Sequence, residues 1–473
     1  MKIKYLLPVH LHTILQKNKQ FEVDYFLTFF SRLPKFIRSC FFRAIPAYMV
    51  KMVFRSDKTK TQKMNHFQNF NSINCMLTTR RFMKMYVFFL LFLGSTTFAQ
   101  TKYQKDFSAF WTDINTHYAY LDQQAINWEK VREIYEPKTE KITTDEEFIR
   151  FLETVLNELY NGHSSLNSNL MSSNRLIPSG SDLYMEKVGN KYVIKDIRKG
   201  FGAELSGLKT GMEVKLFNGK PVEEQLKKFL PKFTDTPNQK MVQYALNMLF
   251  AGTHDTKREI TATVNGKEKK FYPVTYGNRD ELLYSKTLND NTAYIKINNS
   301  LGNDSLIAAF DKTLDSLFQY KNLIIDLTET PGGGNSTVAR SIMGRFITEL
   351  LPYQVHEFDE KAYQTKRHWV EYVPPRKDTY TGKVYVLVGR WTGSMGEGMA
   401  VGFDGMKRAK IIGTEMAGLI GAISNFQLPE TKIGFQFPTE RLYHINGTPR
   451  EDFVPEIRTQ NSEETQQKAK EIR

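Results

Sequence analysis

Between residues 103 and 165, apolar side chains recur at helical spacing. Phe107, Phe110, Trp111, Ile114 and His117 follow the i, i+3, i+4, i+7 rule and predict an amphipathic helix. Thr144-Asp145-Glu146-Glu147 predicts a second helix start, with Thr144 as N-cap and Glu147 as its capping-box partner. The stripe Phe148, Phe151, Leu152, Val155, Leu156 and Leu159 follows, and Asn161-Gly162 signals its end. The period changes over 181–275. Short β-rich runs appear at Tyr192–Ile194, Val214–Leu216 and Ile260–Val264, with a helical insert at about 236–252. From residue 280 strands and helices alternate. Strands are predicted at Ala293–Ile297, Leu323–Leu327, Val384–Val388 and Lys410–Ile412, and helices at about 304–319, 335–348 and 395–407. Buried runs such as LIIDL and VYVLV between helices predict a parallel-rich α/β layer. Residues 353–380, with Pro374-Pro375 and little periodicity, read as a surface excursion.

The chain before residue 100 follows a different rule. Residues 83–99 carry Lys84, an eight-residue apolar run at Tyr86–Leu93, and small residues at Thr97 and Ala99. This is the pattern of a secretory signal peptide ending at Ala99, too short to span a bilayer. Eighty-two residues precede it, and they are expected to be an upstream extension read from a mis-set start, translation beginning at Met83 or Met76. The other reading of 1–82 is a basic leader or membrane anchor.

Charge sharpens this division. The 473 residues carry a formal net charge of +14, yet residues 1–82 alone hold 15 Lys+Arg against 3 Asp+Glu, and both cysteines, Cys40 and Cys75. Residues 100–473 hold 49 Lys+Arg against 48 Asp+Glu and no cysteine. A neutral, thiol-free chain excludes disulfides and cysteine nucleophiles and removes the argument for a nucleic-acid partner. The expected protein is exported, periplasmic or extracellular, with no stable membrane span once the signal is removed, and held by its core alone.

Three segments can carry chemistry. Strand LIIDL runs into TETPGGGNS (328–336), where consecutive glycines let backbone N–H groups approach a ligand; glycine turns after strands are also ordinary. Strand VYVLVGRW runs into TGSMGEGMAVGF (392–403), which puts Ser394 where a strand turns into a helix. A hydroxyl there lies beside the Met395 amide and the positive end of the helix dipole, the placement a nucleophile needs. It is also the placement of an ordinary N-cap serine, and with Thr392 in place of the first glycine it is not a GxSxG elbow. ELYNGHSSL (158–166) leaves His163 among small residues with no apolar stripe to claim it. The other histidines past residue 99 are His117, His254, His356, His368 and His444. No GxxxxGK[ST], HExxH or CxxC occurs and no His/Asp cluster has ligand spacing, so neither a metal nor another cofactor is expected.

In their order along 103–460 these segments resemble the carboxy-terminal processing (tail-specific) serine peptidases, whose relatives include the tricorn protease core and interphotoreceptor retinoid-binding protein. NGHSS stands for a "DGHS" turn, LIIDLTETPGG for "LIIDLRxNPGG", VLVGRWTGSMGE for "VLVxxxTxSxxE" and EDFVPEI (451–457) for the carboxy-terminal element. SGLKTGMEVKLFNGKPV (206–222) resembles the turn-and-strand signature of a PDZ domain. The resemblance implies an α/β (α+β multidomain) fold: a helical N-terminal subdomain over 100–180, a PDZ-like β domain over 181–277, and over 278–473 an α/β catalytic core of the tail-specific protease, crotonase-like type.

The resemblance further implies Ser394 as nucleophile, with an oxyanion hole from the amides of Met395 and of Gly332 or Gly333. A lysine base is expected from the Ser–Lys branch, but EMAGLIG (415–421) has Leu419 there. The tricorn-like branch uses a histidine and a glutamate, which map to His163 and to Glu451, with Asp452 as runner-up and Ser165 as a relay hydroxyl. Histidine titrates near neutrality, and a carboxylate behind it fixes its tautomer. Glu397 is expected to hold the serine turn. The PDZ-like domain is expected to take an extended protein or peptide substrate, with its carboxylate on turn amides at Gly207, Leu208 and Gly211. The rival reading is a catalytically inactive peptide- or ligand-binding protein on the same scaffold, and a weaker one makes His444 the base.

Overall fold

The computed structural model describes residues 100–274 and 281–472, so the expected extension (1–82) and signal peptide (83–99) lie outside the described residues. Within them the fold mixes helices and three sheets. Among the described residues no helix is long and apolar enough to cross a membrane.

Helix α1 (Lys102–His117) is capped by Thr101, which exchanges hydrogen bonds with Gln104. Its Tyr103, Phe107, Phe110, Trp111 and Ile114 are buried, while His117 is exposed at its end. Helices α2 (Trp128–Tyr135) and α3 (Asp145–Leu156) follow, and Thr144 and Glu147 form the predicted capping box of α3. These helices close their core against Leu428, Ile433, Phe435 and Phe437 from near the other end of the chain. The same contact seats β1 (Ser165–Leu166), which follows α3.

The second sheet runs β2 (Leu183–Val188), β3 (Lys191–Ile197), β4 (Glu213–Phe217), β6 (Ile260–Val264) and β7 (Lys267–Phe271), with the short β5 (Lys220–Pro221) beside β4. Helix α4 (Gln239–Ala251), the predicted insert, packs on β2 and shares a separate hydrophobic cluster with this sheet.

The third region holds a six-stranded sheet of β8 (Leu283–Asn289), β9 (Thr292–Ile297), β10 (Asn322–Asp326), β13 (Lys383–Val388), β14 (Ala409–Gly413) and β17 (Ile457–Arg458), in the order β17-β14-β13-β10-β9-β8. Every pairing but β8–β9 is parallel, as the buried runs predicted. Helices α5 (Ser305–Asp315), α6 (Ser336–Met343) and α7 (Met395–Gly405) cover one face and α8 (Ser462–Lys470) the other. All five residues of β10 are buried, which explains its apolar run Leu323–Ile325.

Residues 353–380 are not an irregular excursion. β11 (Leu351–Glu360) and β12 (Thr365–Val373) form a long antiparallel hairpin, joined to β16 (Gly434–Tyr443), which pairs in turn with β1 and β15 (Ala422–Gln427). Apolar alternation is missing because polar pairs fill the hairpin. His356 bonds Glu371 and Glu440 and stacks on Trp369, and Lys366 bonds Glu357.

Candidate active site

The parallel pairing of β10 and β13 continues past both strands. Thr330 bridges Thr392, and both hydroxyls donate to the Leu327 carbonyl at 2.9 Å. This draws the glycine turn after β10 against the strand-to-helix turn after β13. The approach is so close that a Cβ on Gly333, which has φ +63°, would lie 2.4 Å from the Cβ of Ser394. Only glycine fits there.

Ser394 caps α7 with φ +51° and ψ −111°, a conformation costly for a residue with a Cβ. It is held there by Glu397, whose carboxylate accepts from the Ser394 amide at 2.7 Å and from the Gly418 amide at 2.9 Å. Burial pushes the Glu397 carboxyl up to about 7. Glu397 therefore holds the serine turn, as expected of it.

His163 arrives from the turn after α3. Tyr160 takes a left-handed φ of +34°, and the Asn161 side chain accepts from the His163 amide at 2.9 Å. The buried ring places Nε2 3.1 Å from Ser394 Oγ and Nδ1 3.0 Å from the Ile420 carbonyl. A carbonyl can only accept, so Nδ1 carries the proton and Nε2 offers its lone pair to the serine hydroxyl. Burial lowers the His163 pKa to about 4, which keeps the ring neutral.

Other expected partners are arranged differently. Glu451 makes no hydrogen bond to His163. The ring's second nitrogen is taken by Ile420, and Glu451 Oε2 is buried without a partner. Burial accordingly raises the Glu451 pKa. Asp452 is exposed, and Ser165 lies in β1 opposite Gln436. Of the oxyanion-hole residues, Met395 starts α7, so its amide has no acceptor within the helix. The Gly332 amide donates to Asn299 Oδ1, from the loop after β9, at 2.7 Å and the Gly333 amide to Thr330 O at 3.1 Å, so both have acceptors. Leu419 is buried, its methyl carbons 3.2 and 3.1 Å from where a Cβ would stand on Gly162 and Gly393; an apolar side chain fills the space beside the serine turn.

His444 bonds Asp404 at 3.0 Å and lies by Gly405, at the far end of α7 from Ser394. Eleven residues of helix separate the two, roughly 16 Å at ~1.5 Å per residue. The three turn amides expected to hold a substrate carboxylate are bonded within the fold. The Gly207 amide bonds Glu204 O, that of Leu208 bonds Ala203 O and that of Gly211 bonds Ile194 O, while the Leu208 side chain is buried in the core.

Sequence reasoning missed three residues that build the site. Asn161 reads as a helix stop, Ile420 acts through its carbonyl, and Arg450 sits unremarked before Glu451. Only Asn161 left a signal, being a side chain able to bond the backbone two residues on.

The class this arrangement defines agrees with known proteins. Residues 291–458 match the family profile Peptidase family S41, and residues 99–157 match the Tricorn protease C1 domain. Residues 291–458, which hold Ser394 and the glycine turn beside it, are thus similar to peptidase family S41. A "Tail-specific protease" of Haemophilus influenzae is 30% identical over 133 residues, a stretch that takes in 26% of this chain and 18% of that protein. Mature CPAF resembles the fold with a TM-score of 0.54 at 14% identity, over 76% of this chain and 92% of the other. A photosystem II D1 C-terminal processing protease does so with a TM-score of 0.50 at 17% identity, over 76% and 94%.

Proposed function

We propose that the chain is an exported serine peptidase that hydrolyses peptide bonds of protein or peptide substrates. Ser394 is its nucleophile and His163 its general base. The observation that carries this is the 3.1 Å contact from His163 Nε2 to Ser394 Oγ, with Nδ1 turned to the Ile420 carbonyl. The imidazole takes the serine proton as Oγ attacks the scissile carbonyl and returns it to the leaving amine. The Met395 amide and the α7 dipole face the developing oxyanion, where one donor is worth about 3–4 kcal/mol. Glu451 lies beside Arg450 and makes no hydrogen bond to the ring. The likeness to a tail-specific protease favours cleavage near carboxyl termini. Its further support is that the segments flanking β2 and β3 are bonded to the chain beside Ser394 and the glycine turn. Trp391 Nε1 donates to Ser181 O at 2.9 Å and Arg198 pairs with Glu329 at 2.8 Å. We assign that sheet as the PDZ-like substrate domain, and export rests on the signal pattern ending at Ala99.

One observation favours the inactive binding reading: both glycine amides near Ser394 already have acceptors, Gly332 in Asn299 Oδ1 and Gly333 in Thr330 O. A fluorophosphonate separates the two. The peptidase reading expects Ser394 to be labelled and Ser394→Ala to lose both the label and casein hydrolysis. A folded wild-type chain that takes no label supports the binding reading.

A further inference from the structure

Arg450 is 2% exposed and makes no ion pair with a carboxylate among the described residues. Its charge is felt by Glu397 and Glu451 through space, and its Nε has no hydrogen-bond partner. Burying a guanidinium without a paired carboxylate is costly, so its retention calls for a reason. The reason lies in where its donors go. Nη2 donates to Leu419 O at 2.7 Å and to Gly421 O at 3.1 Å. These carbonyls flank Ile420, whose own carbonyl accepts from His163 Nδ1 at 3.0 Å. One side chain therefore grips both neighbours of the peptide that fixes the histidine.

We propose that Arg450 is a positioning residue for His163. By pinning the strap Leu419-Ile420-Gly421 it keeps the Ile420 carbonyl in place, and that carbonyl holds the proton on Nδ1 and leaves Nε2 free for Ser394. In a Ser-His-Asp triad a carboxylate does this directly; here an arginine does it through a backbone carbonyl. The inference rests on the assignment of His163 as base. Lysine carries the charge, but it lacks the planar guanidinium that sets Nη2 between the two carbonyls.

The test uses the full chain as wild type, Arg450→Met and Arg450→Lys. Two quantities are measured at pH 7: the rate of fluorophosphonate labelling, and the 15N shifts of the His163 ring, assigned against His163→Gln. Arg450→Met is expected to label about 10- to 100-fold more slowly, as loss of an orienting partner does elsewhere. Its ring nitrogens are expected to move from the Nδ1–H form to a mixture of tautomers. Labelling within about twofold of wild type overturns the proposal, and so does slow labelling with an unchanged tautomer, which assigns Arg450 to fold support alone. If Arg450→Met does not fold, Arg450→Lys decides by the same two readings. If wild type takes no label, the peptidase reading fails, and the tautomer shift still decides the role of Arg450.

Discussion

Ser394 and His163 meet at 3.1 Å, yet they are held in opposite ways. The serine side is local. Glu397, three residues on, holds the Ser394 amide, and the glycine turn lies beside it because β10 and β13 are paired neighbours. The histidine side is assembled from a distance. Ile420 stands 257 residues from His163, and Arg450 stands 31 from Leu419. Local contacts reform whenever the turn folds, while distant ones depend on how the amino-terminal helices sit against β16. The serine's placement is thus a motif, and the histidine's is a property of the whole fold.

The sharpest way to break the serine side is Gly333→Ala. Its Cβ would stand 2.4 Å from that of Ser394 at a φ of +63°. Labelling is expected to fall by about 100-fold or more, since small misplacements at a reacting centre cost that much, with a melt showing about 1–3 kcal/mol of lost stability. Wild-type labelling would show that the two turns do not touch. Glu397→Gln comes next, because an amide NH2 then faces either the Ser394 or the Gly418 amide in place of an oxygen. About 1–3 kcal/mol of stability is expected to go, with slower labelling; a neutral result would free the turn from Glu397.

The histidine side is probed by pH. His163 acts as base only when neutral, and burial lowers its pKa from 6.5 to about 4. Its base form is therefore complete at pH 6, and in Glu397→Gln, where the Glu397 titration near 7 is gone, kcat/KM should fall only as pH drops through about 4. An acid limb near 6.5 in that variant would mean that the ring is solvated in the working enzyme. The smallest effect is expected far from both turns. Thr144→Ala removes the α3 cap at a cost of about 1 kcal/mol in a thermal melt, with unchanged turnover. A loss of turnover there would show that α3 sets the position of His163 more tightly than the cap alone implies.

This contrast also explains what was legible in the sequence. LIIDL and VYVLV read as buried parallel strands because apolar runs report burial on both faces. Ser394 and its helix read directly, since the turn is made of adjacent residues. His163 could be singled out only by the absence of an apolar claim on it. Its partners could not be read, because a backbone carbonyl at Ile420 and a buried arginine at Arg450 leave no periodicity. The hairpin β11–β12 was illegible because His356, Glu371 and Lys366 pair across strands where apolar alternation would otherwise show. At the 206–212 turn the glycines read as a ligand turn, while their amides are bonded inside the fold.

The central claim is that His163 activates Ser394, and it is tested most directly by the labelling rate of three proteins at pH 7. His163→Ala is expected to label about 10⁶-fold more slowly than wild type, as loss of a base that acts with its serine does, while His444→Ala labels at the wild-type rate. Wild-type labelling of His163→Ala, or its loss in His444→Ala alone, would contradict the account.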